Sequence, residues 1–340
     1  MSNSKTKKSL AAAFKSKVNK WKRRGTAANV TLTVMFFVFL IYAFTLIYPV
    51  FWTLMNAMKT NVQYSRDSFG LPPDWLVSNF AEAFRSIVVV NPETYAETNL
   101  WGMLFNSIWQ AGGSAFLSVA VSCMTGYVIS KYRFPGRSFL YSLAVTIMII
   151  PIVGNLPAAY NLMYSLHIVN SPFILIQALS GFGFNFIVLY GFFKNVSWSY
   201  AEAAFIDGAS DFKVFLKIMV PQALPCVLSL FIVALIGCWN DYMTPLLYMD
   251  AFPTLASGLF MFRNRMTSTG ANMPVYFAAI LISMVPVIIL FTFFSETIMN
   301  NTTTGGLKDD IRNRSPAYSA RQQSRERNAS TLRRTGCATR

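Results

Sequence analysis

Charge is scarce in this chain. Of 340 residues only 13% are Asp, Glu, Lys or Arg, while 54% are hydrophobic. Ordinary soluble domains carry about a quarter charged residues, so the composition argues against a soluble globule and for a polytopic membrane protein. Histidine occurs once, as His167. It lies in a predicted turn, where a surface or interfacial role is expected rather than catalysis or metal binding. The four cysteines are Cys123, Cys226, Cys238 and Cys337. They show neither metal-ligand spacing nor a disulfide framework, and the first three read as small apolar residues. With no clustered carboxylates either, a membrane enzyme has little to work with. No G-x-x-x-x-G-K-[ST] phosphate loop occurs, nor any Gly-Lys pair.

The net charge of +15 sits at the two ends. Residues 1–29 hold nine Lys/Arg and no acids, and residues 299–340 hold nine against three. The stretch between them is neutral. Basic flanks around an apolar body are the positive-inside signature of cytoplasmic segments, and they gain about 1 kcal/mol per side chain from anionic lipid. No nucleic-acid-reading motif accompanies them, so the bilayer, not nucleic acid, is the expected partner.

A spanning helix needs about 20 apolar residues. A first span fits 31–56; it follows WKRR (21–24) without a cleavage pattern and reads as an anchor. Others fit 104–130, 222–248 and 274–296. The uncharged run between Arg137 and Lys194 has room for two more, with an outer turn from Asn155–Pro157 through Asn170–Pro172. Gly112, Gly113, Ser114 and Ser118 in the second span look like a close-packing face. Trp52, Trp101, Trp109 and Tyr48 suit interfacial belts. The expected fold is all-α and integral to the membrane, with six spans and both termini cytoplasmic. Three parts follow: a basic segment (1–29), a six-span domain (30–300) and a C-terminal tail (301–340) that reads as disordered. Loop 57–103, with three bases and five acids, should lie outside as a small ordered cap. Loop 249–273 is outside by parity, against the mild contrary indication of Arg263 and Arg265.

Parity puts 195–221 in the cytoplasm, and its chemistry gives it a shape. Ser199 followed by Glu202 is a capping-box pattern, predicting a helix from Ser199. Ala201, Ala204 and Phe205 share one face, with Glu202 and Ile206 on another. Asp207–Gly208 should end the helix through a left-handed glycine. Ser210 or Asp211 should cap a second short helix carrying the stripe Phe212, Phe215, Leu216 and Met219. Pro221 should close the region and open the fifth span. Such a hairpin of helices either packs on its own span ends or docks a cytoplasmic partner, and local physics leaves both open.

The run Glu202-Ala203-Ala204, three residues, Gly208, nine residues, Ile218, one residue, Val220-Pro221 resembles the EAA loop of binding-protein-dependent ABC permeases. Only the penultimate leucine of that pattern is changed, to valine. KYRFPGRSF (131–139), PIVGNLPAAYNLMYSLHIVNSPF (151–173), GFFKNVSWSYAEAAFIDGAS (191–210), GCWNDYMTPLLY (237–248) and TTGGLK (303–308) are similar to the maltose-type sugar branch. The likeness covers about 30–308. It implies a type I importer permease fold whose coupling helices sit in a cleft of a separate ATPase, through Glu202, Ala203, Ala204, Asp207, Gly208, Ile218 and Pro221. It also implies a second homologous permease, two ATPase copies, an extracytoplasmic solute-binding protein and a sugar or oligosaccharide as cargo. The chain itself would be no enzyme and hold no cofactor or metal, ATP being bound by the partner. A non-sugar solute is the alternative. An ion-coupled transporter or channel is the rival class, but it normally carries ionisable groups in several spans.

Asp241, beside Asn240 and Trp239, falls in the outer half of the predicted fifth span. A carboxylate there costs about 2.5–3.5 kcal/mol and must face protein or water. Asn240 and Asp241 are therefore candidates for a substrate path, against a purely structural acid bonded to its neighbours. Pro245 is expected to kink the helix nearby.

Overall fold

The computed structural model describes residues 26–91, 94–150, 154–269 and 272–304. Most of the basic N-terminal segment and all of the tail beyond 304 lie outside the described residues. The described elements are helical apart from one hairpin. They run α1 (Thr26–Ala57), α2 (Asn61–Arg66), α3 (Ser78–Ser86), β1 (Val88–Val90), β2 (Glu97–Asn99), α4 (Leu100–Lys131), α5 (Arg137–Ile149), α6 (Leu156–Ser165), a 3-10 helix (Pro172–Ala178) and α7 (Phe184–Asn195). After these come α8 (Ser199–Ile206), α9 (Asp211–Asn240), α10 (Met243–Tyr248), α11 (Leu255–Thr269) and α12 (Met273–Thr304).

Among the described residues, four helices are long and apolar enough to cross a membrane: Ala28–Ala57, Leu100–Lys131, Asp211–Asn240 and Met273–Ser295. They match four of the six expected spans. The uncharged stretch after Arg137 is divided instead into shorter pieces. Ile150 precedes a proline and is extended (φ −79°, ψ 114°), as a residue before proline prefers, so α5 stops at 13 residues. The expected outer turn contains α6, with Pro157 in its first turn where the missing N–H costs nothing. Gly183, at φ +150°, ends the irregular segment, and the 12 residues of α7 rise only about 18 Å.

The described residues fall into two compact groups. The first comprises 26–83 and 272–281. The apolar side chains of α1 are exposed almost throughout, as a helix surrounded by lipid or other chains requires. Past its end the chain turns through a capping box at Thr60 and Gln63. Lys59, only 1% exposed, donates to the Asp67 carbonyl at 2.8 Å. Asn79 donates to the carbonyls of Ala57 and Lys59, both at 2.8 Å. Trp52 meets Tyr64 and Phe277 edge-on, so it belongs to a packed aromatic cluster.

The second group comprises 84–269 and 282–304. Its centre is the pairing of α4 with α7. At Gly126 an added Cβ would lie 3.1 Å from the Tyr190 amide nitrogen and 3.3 Å from Leu189 Cβ, so glycine permits the close approach. Gly113, in the expected small-residue face, comes as near to Leu175, where a Cβ would meet a methyl at 2.9 Å, whereas Gly112 faces open space. Thr125 Oγ1 donates to the Gly181 carbonyl at 2.8 Å. β1 and β2 pair antiparallel, with Val89 opposite Thr98, giving the expected ordered outer segment a hairpin. His167 is exposed, with φ +56° in the turn after α6.

Candidate coupling element

α8 begins at Ser199 as predicted, but not through a capping box. Trp198 is the N-cap, and its carbonyl accepts from Ala201 and Glu202 at 2.9 and 3.1 Å. The Ser199 amide donates to Ser197 Oγ at 3.3 Å. Ser197, two residues earlier, thus takes one amide, but no side chain caps the helix, because the cap position falls to Trp198, which already has helical dihedrals (φ −72°, ψ −20°).

The helix ends where the sequence says it should. Gly208 is left-handed at φ +79°. Its N–H donates to Phe205 O, and the Ala209 N–H donates to Ala204 O, each at 3.0 Å. This pair of bonds is a Schellman ending. Ser210 (φ −74°, ψ 157°) then enters α9, though without a side-chain cap bond.

Pro221 does not open a new helix. α9 runs unbroken from Asp211 to Asn240, through a π-helical turn at Phe215–Met219 in which the Val220 N–H donates to Phe215 O. Proline has no N–H, and its ring crowds the carbonyl four residues earlier. Widening the preceding turn to five-residue spacing relieves that conflict. The expected second short helix is therefore the head of the apolar helix Asp211–Asn240.

Burial sorts the residues of the element. Ala201 and Ala204 are buried against Tyr127, Leu189, Phe193, Val214 and Phe215. The small-residue face thus seats the helix on its own chain, as packing on span ends requires. The opposite face is bare: Glu202, Ala203, Ile206, Asp207 and Gly208 are exposed, with Ile206 at 86%. In α9, Phe215 and Met219 are buried, whereas Phe212 and Leu216 are exposed. The predicted stripe is split between an inner and an outer side. Ile218 is half-buried and Pro221 exposed.

The element is also tied to the end of α4, a link no sequence pattern announced. Tyr132 donates its hydroxyl to Asp211 Oδ1 at 2.6 Å and meets Trp198 edge-on. Burial first, then the bond to the carboxylate, push the Tyr132 hydroxyl well above the ordinary phenol range, so it acts as a neutral donor. Lys131 Nζ donates to the Val196 carbonyl. One end of the element is thus held through Val196 and Trp198, and the other through Asp211.

At the other end of α9, Asp241 is the C-cap (φ −73°, ψ 109°). Its Oδ1 accepts from the amides of Met243 at 2.9 Å and Thr244 at 3.1 Å. It therefore nucleates α10, which fits the structural reading of this acid. The helix is broken here, not merely kinked: the ring of Pro245 excludes a bond to the carbonyl four residues back, that of Asp241. Asn240 donates to Ile236 O at 2.8 Å and lines a cavity of about 250 Å³ with Trp239, Leu255, Ser283 and Val287. Trp239 Nε1 donates to the Ser283 carbonyl at 3.2 Å in the same wall.

Residues 118–300 match the family described as binding-protein-dependent transport system inner membrane component. The match takes in α8, α9 and the exposed loop face. The chain belongs to this family. A family member is one component of a transport system that spans the inner membrane, and four apolar helices agree with a multi-pass position. The family member is 24% identical over 271 residues to the diacetylchitobiose uptake system permease NgcG of Streptomyces coelicolor, covering 78% of this chain and 85% of that one. It is 28% identical over 279 residues to the arabinooligosaccharides transport system permease AraQ of Halalkalibacterium halodurans, covering 79% and 94%. In fold it is similar to a chain from the crystal structure of a bacterial ABC transporter involved in the import of the acidic polysaccharide alginate. The TM-score is 0.65 at 21% identity, covering 80% of this chain and 98% of the other.

Proposed function

We propose that this chain is one permease half of an ABC importer for a sugar or oligosaccharide, with six spans and both termini cytoplasmic. It would be completed by a second homologous permease, two ATPase subunits and an extracytoplasmic solute-binding protein. The observation that carries the reading is the division of α8 into a buried alanine face and a bare face. Ala201 and Ala204 fix the helix to the span bundle, so a push on Glu202, Ala203, Ile206 or Asp207 moves the bundle rather than a free loop. Exposing Ile206 at 86% gains nothing for an isolated chain, and it supports a partner that covers it. The uptake permeases of oligosaccharides among the relatives support the cargo class.

In this mechanism ATP binds and is hydrolysed on the partner. Closure of the ATPase pair is transmitted through the face Glu202–Gly208 into α9, whose head is continuous with a span, with Ile218 in the π-turn that carries the motion and Pro221 just after it. The switch is a rigid-body one between two packings. Asn240 faces the cargo path from the cavity wall, and Asp241 holds the helix break beside it.

The test is Glu202→Lys, which reverses charge on the bare face without touching the alanine face. Uptake by the assembled system should fall while the amount of chain in the membrane stays constant. Wild-type uptake by this variant would overturn the docking role.

A further inference from the structure

We infer that the cavity where α4 ends and α5 begins is a site for a phosphate group, seated there on the headgroup of an anionic phospholipid. The cavity, of about 510 Å³, is lined by Ser130, Lys131, Tyr132, Arg133, Arg137 and Trp198. Among the described residues, three cations converge on it and no carboxylate lines it. Lys131 and Arg137 are held in place by backbone carbonyls, Lys131 by Val196 and Arg137 by Ser130 at 3.1 Å. A carbonyl carries only a partial charge, so both side chains keep most of their positive potential. Arg133 is exposed and offers its guanidinium, whose fork matches phosphate oxygens. Asp211 lines a neighbouring cavity instead and accepts the Tyr132 hydroxyl at 2.6 Å.

Position argues for lipid as the source. Lys131 is the last residue of a 32-residue apolar helix, and Arg137 the first of a 13-residue one. The cavity thus lies at the level where apolar helices leave the bilayer, and Trp198 and Tyr132 are residues of the kind that favour the headgroup layer. Tyr132 also walls that neighbouring, mostly apolar cavity of about 440 Å³, which includes Met124, Val128 and Phe212, all exposed; its one acid among the described residues, Asp211, is the carboxylate that accepts the Tyr132 hydroxyl. A lipid could lay an acyl chain along that side and its phosphate on the cations. The inference depends neither on the cargo nor on the ATPase contact. It would nonetheless place an anion against Trp198 and Tyr132, which hold the candidate coupling element.

The experiment uses the intact transport complex in detergent, offered phosphatidylglycerol or phosphatidylcholine, with retained lipid counted by native mass spectrometry. Preferential retention of phosphatidylglycerol is expected. Arg133→Gln should weaken it about fivefold, and Arg133→Lys should restore most of it. Inorganic phosphate is the second arm. If it leaves the lipid in place, the membrane source holds. If it binds in the lipid's stead with the same Arg133 dependence, the phosphate chemistry stands and the lipid source falls. Equal retention of both lipids, or wild-type retention by Arg133→Gln, overturns the proposal. So does retention by the separate chain that vanishes in the assembled complex, which would assign the cations to a protein neighbour.

Discussion

Replacing Gly208 by proline tests the coupling element at the point where backbone geometry is least forgiving. The residue sits at φ +79°, and proline is confined to about −65°. The substitution therefore demands a rotation of roughly 140° at that bond, and it removes the N–H that bonds Phe205 O at 3.0 Å. The Ala209 bond to Ala204 O depends on the same turn. Together the cost is about 3 kcal/mol or more, over a hundredfold in the weight of the native turn at about 1.4 kcal/mol per tenfold. Alanine is the graded control. No atom lies within 4 Å of a Cβ built there, so only the left-handed backbone term of about 1–2 kcal/mol applies. The assay is cargo uptake per ATP hydrolysed by the assembled complex, with membrane levels of the chain as control. Proline should abolish coupling, alanine should reduce it, and asparagine, which tolerates this region, should be mildest. Wild-type coupling by the proline variant, or an alanine variant worse than proline, would refute the reasoning.

Substitutions at three other sites and one titration probe separate claims. Ala201→Leu, at a site with no exposed surface, should overpack the seat of α8 and cost about 1–3 kcal/mol, seen as a lower melting temperature in detergent. Gly126→Ala should separate α4 from α7 by a few tenths of an ångström and lower the melting temperature similarly, since the Tyr190 backbone at 3.1 Å cannot move aside as a side chain could. Asp241→Asn should keep near-normal stability, because the amide oxygen can accept from Met243 and Thr244 as the carboxylate does; Asp241→Ala should destabilise by about 1 kcal/mol, measured the same way. The Asp67 carboxyl is held below its ordinary value of 3.8 chiefly by the amides of Gly70 and Phe69, with help from Lys59. Its contribution is thus complete above that value and lost as pH falls through the lowered one. The protection factors for hydrogen exchange at Phe69 and Gly70 should fall as pH drops below 3.8 in the wild type, and Asp67→Asn should make them independent of pH in that range.

Much of the architecture was legible because membrane sequences state their lengths plainly. The apolar runs at 31–56, 104–130 and 274–296 became helices. The C-terminus of α8 was legible too, since Asp207–Gly208 has one inexpensive conformation at a helix end. Legibility failed where two local rules compete. Ser199 with Glu202 has the spacing of a capping box, yet Trp198 takes the cap position one residue earlier, and spacing alone cannot rank the two. Pro221 reads as a helix boundary, but one π-turn lets the helix pass through it. Ala204, which the resemblance placed among the coupling residues, is buried together with Ala201; the face left bare is the opposite one, whose charged and apolar mixture carries no periodic signal. The bond from Tyr132 to Asp211 joins residues 79 positions apart. Without the fold, nothing in either neighbourhood points to the other.

Ala203 is exposed on α8 while Ala204, beside it, is buried, which allows one decisive measurement. The Ala203→Cys variant, in the otherwise intact complex, should crosslink to the nucleotide-hydrolysing subunit, with a yield that changes when ATP is added; the Ala204→Cys variant should react poorly. Modification of the Ala203→Cys thiol only by reagents applied outside the cell, or no crosslink to an ATPase under any nucleotide condition, would contradict the account.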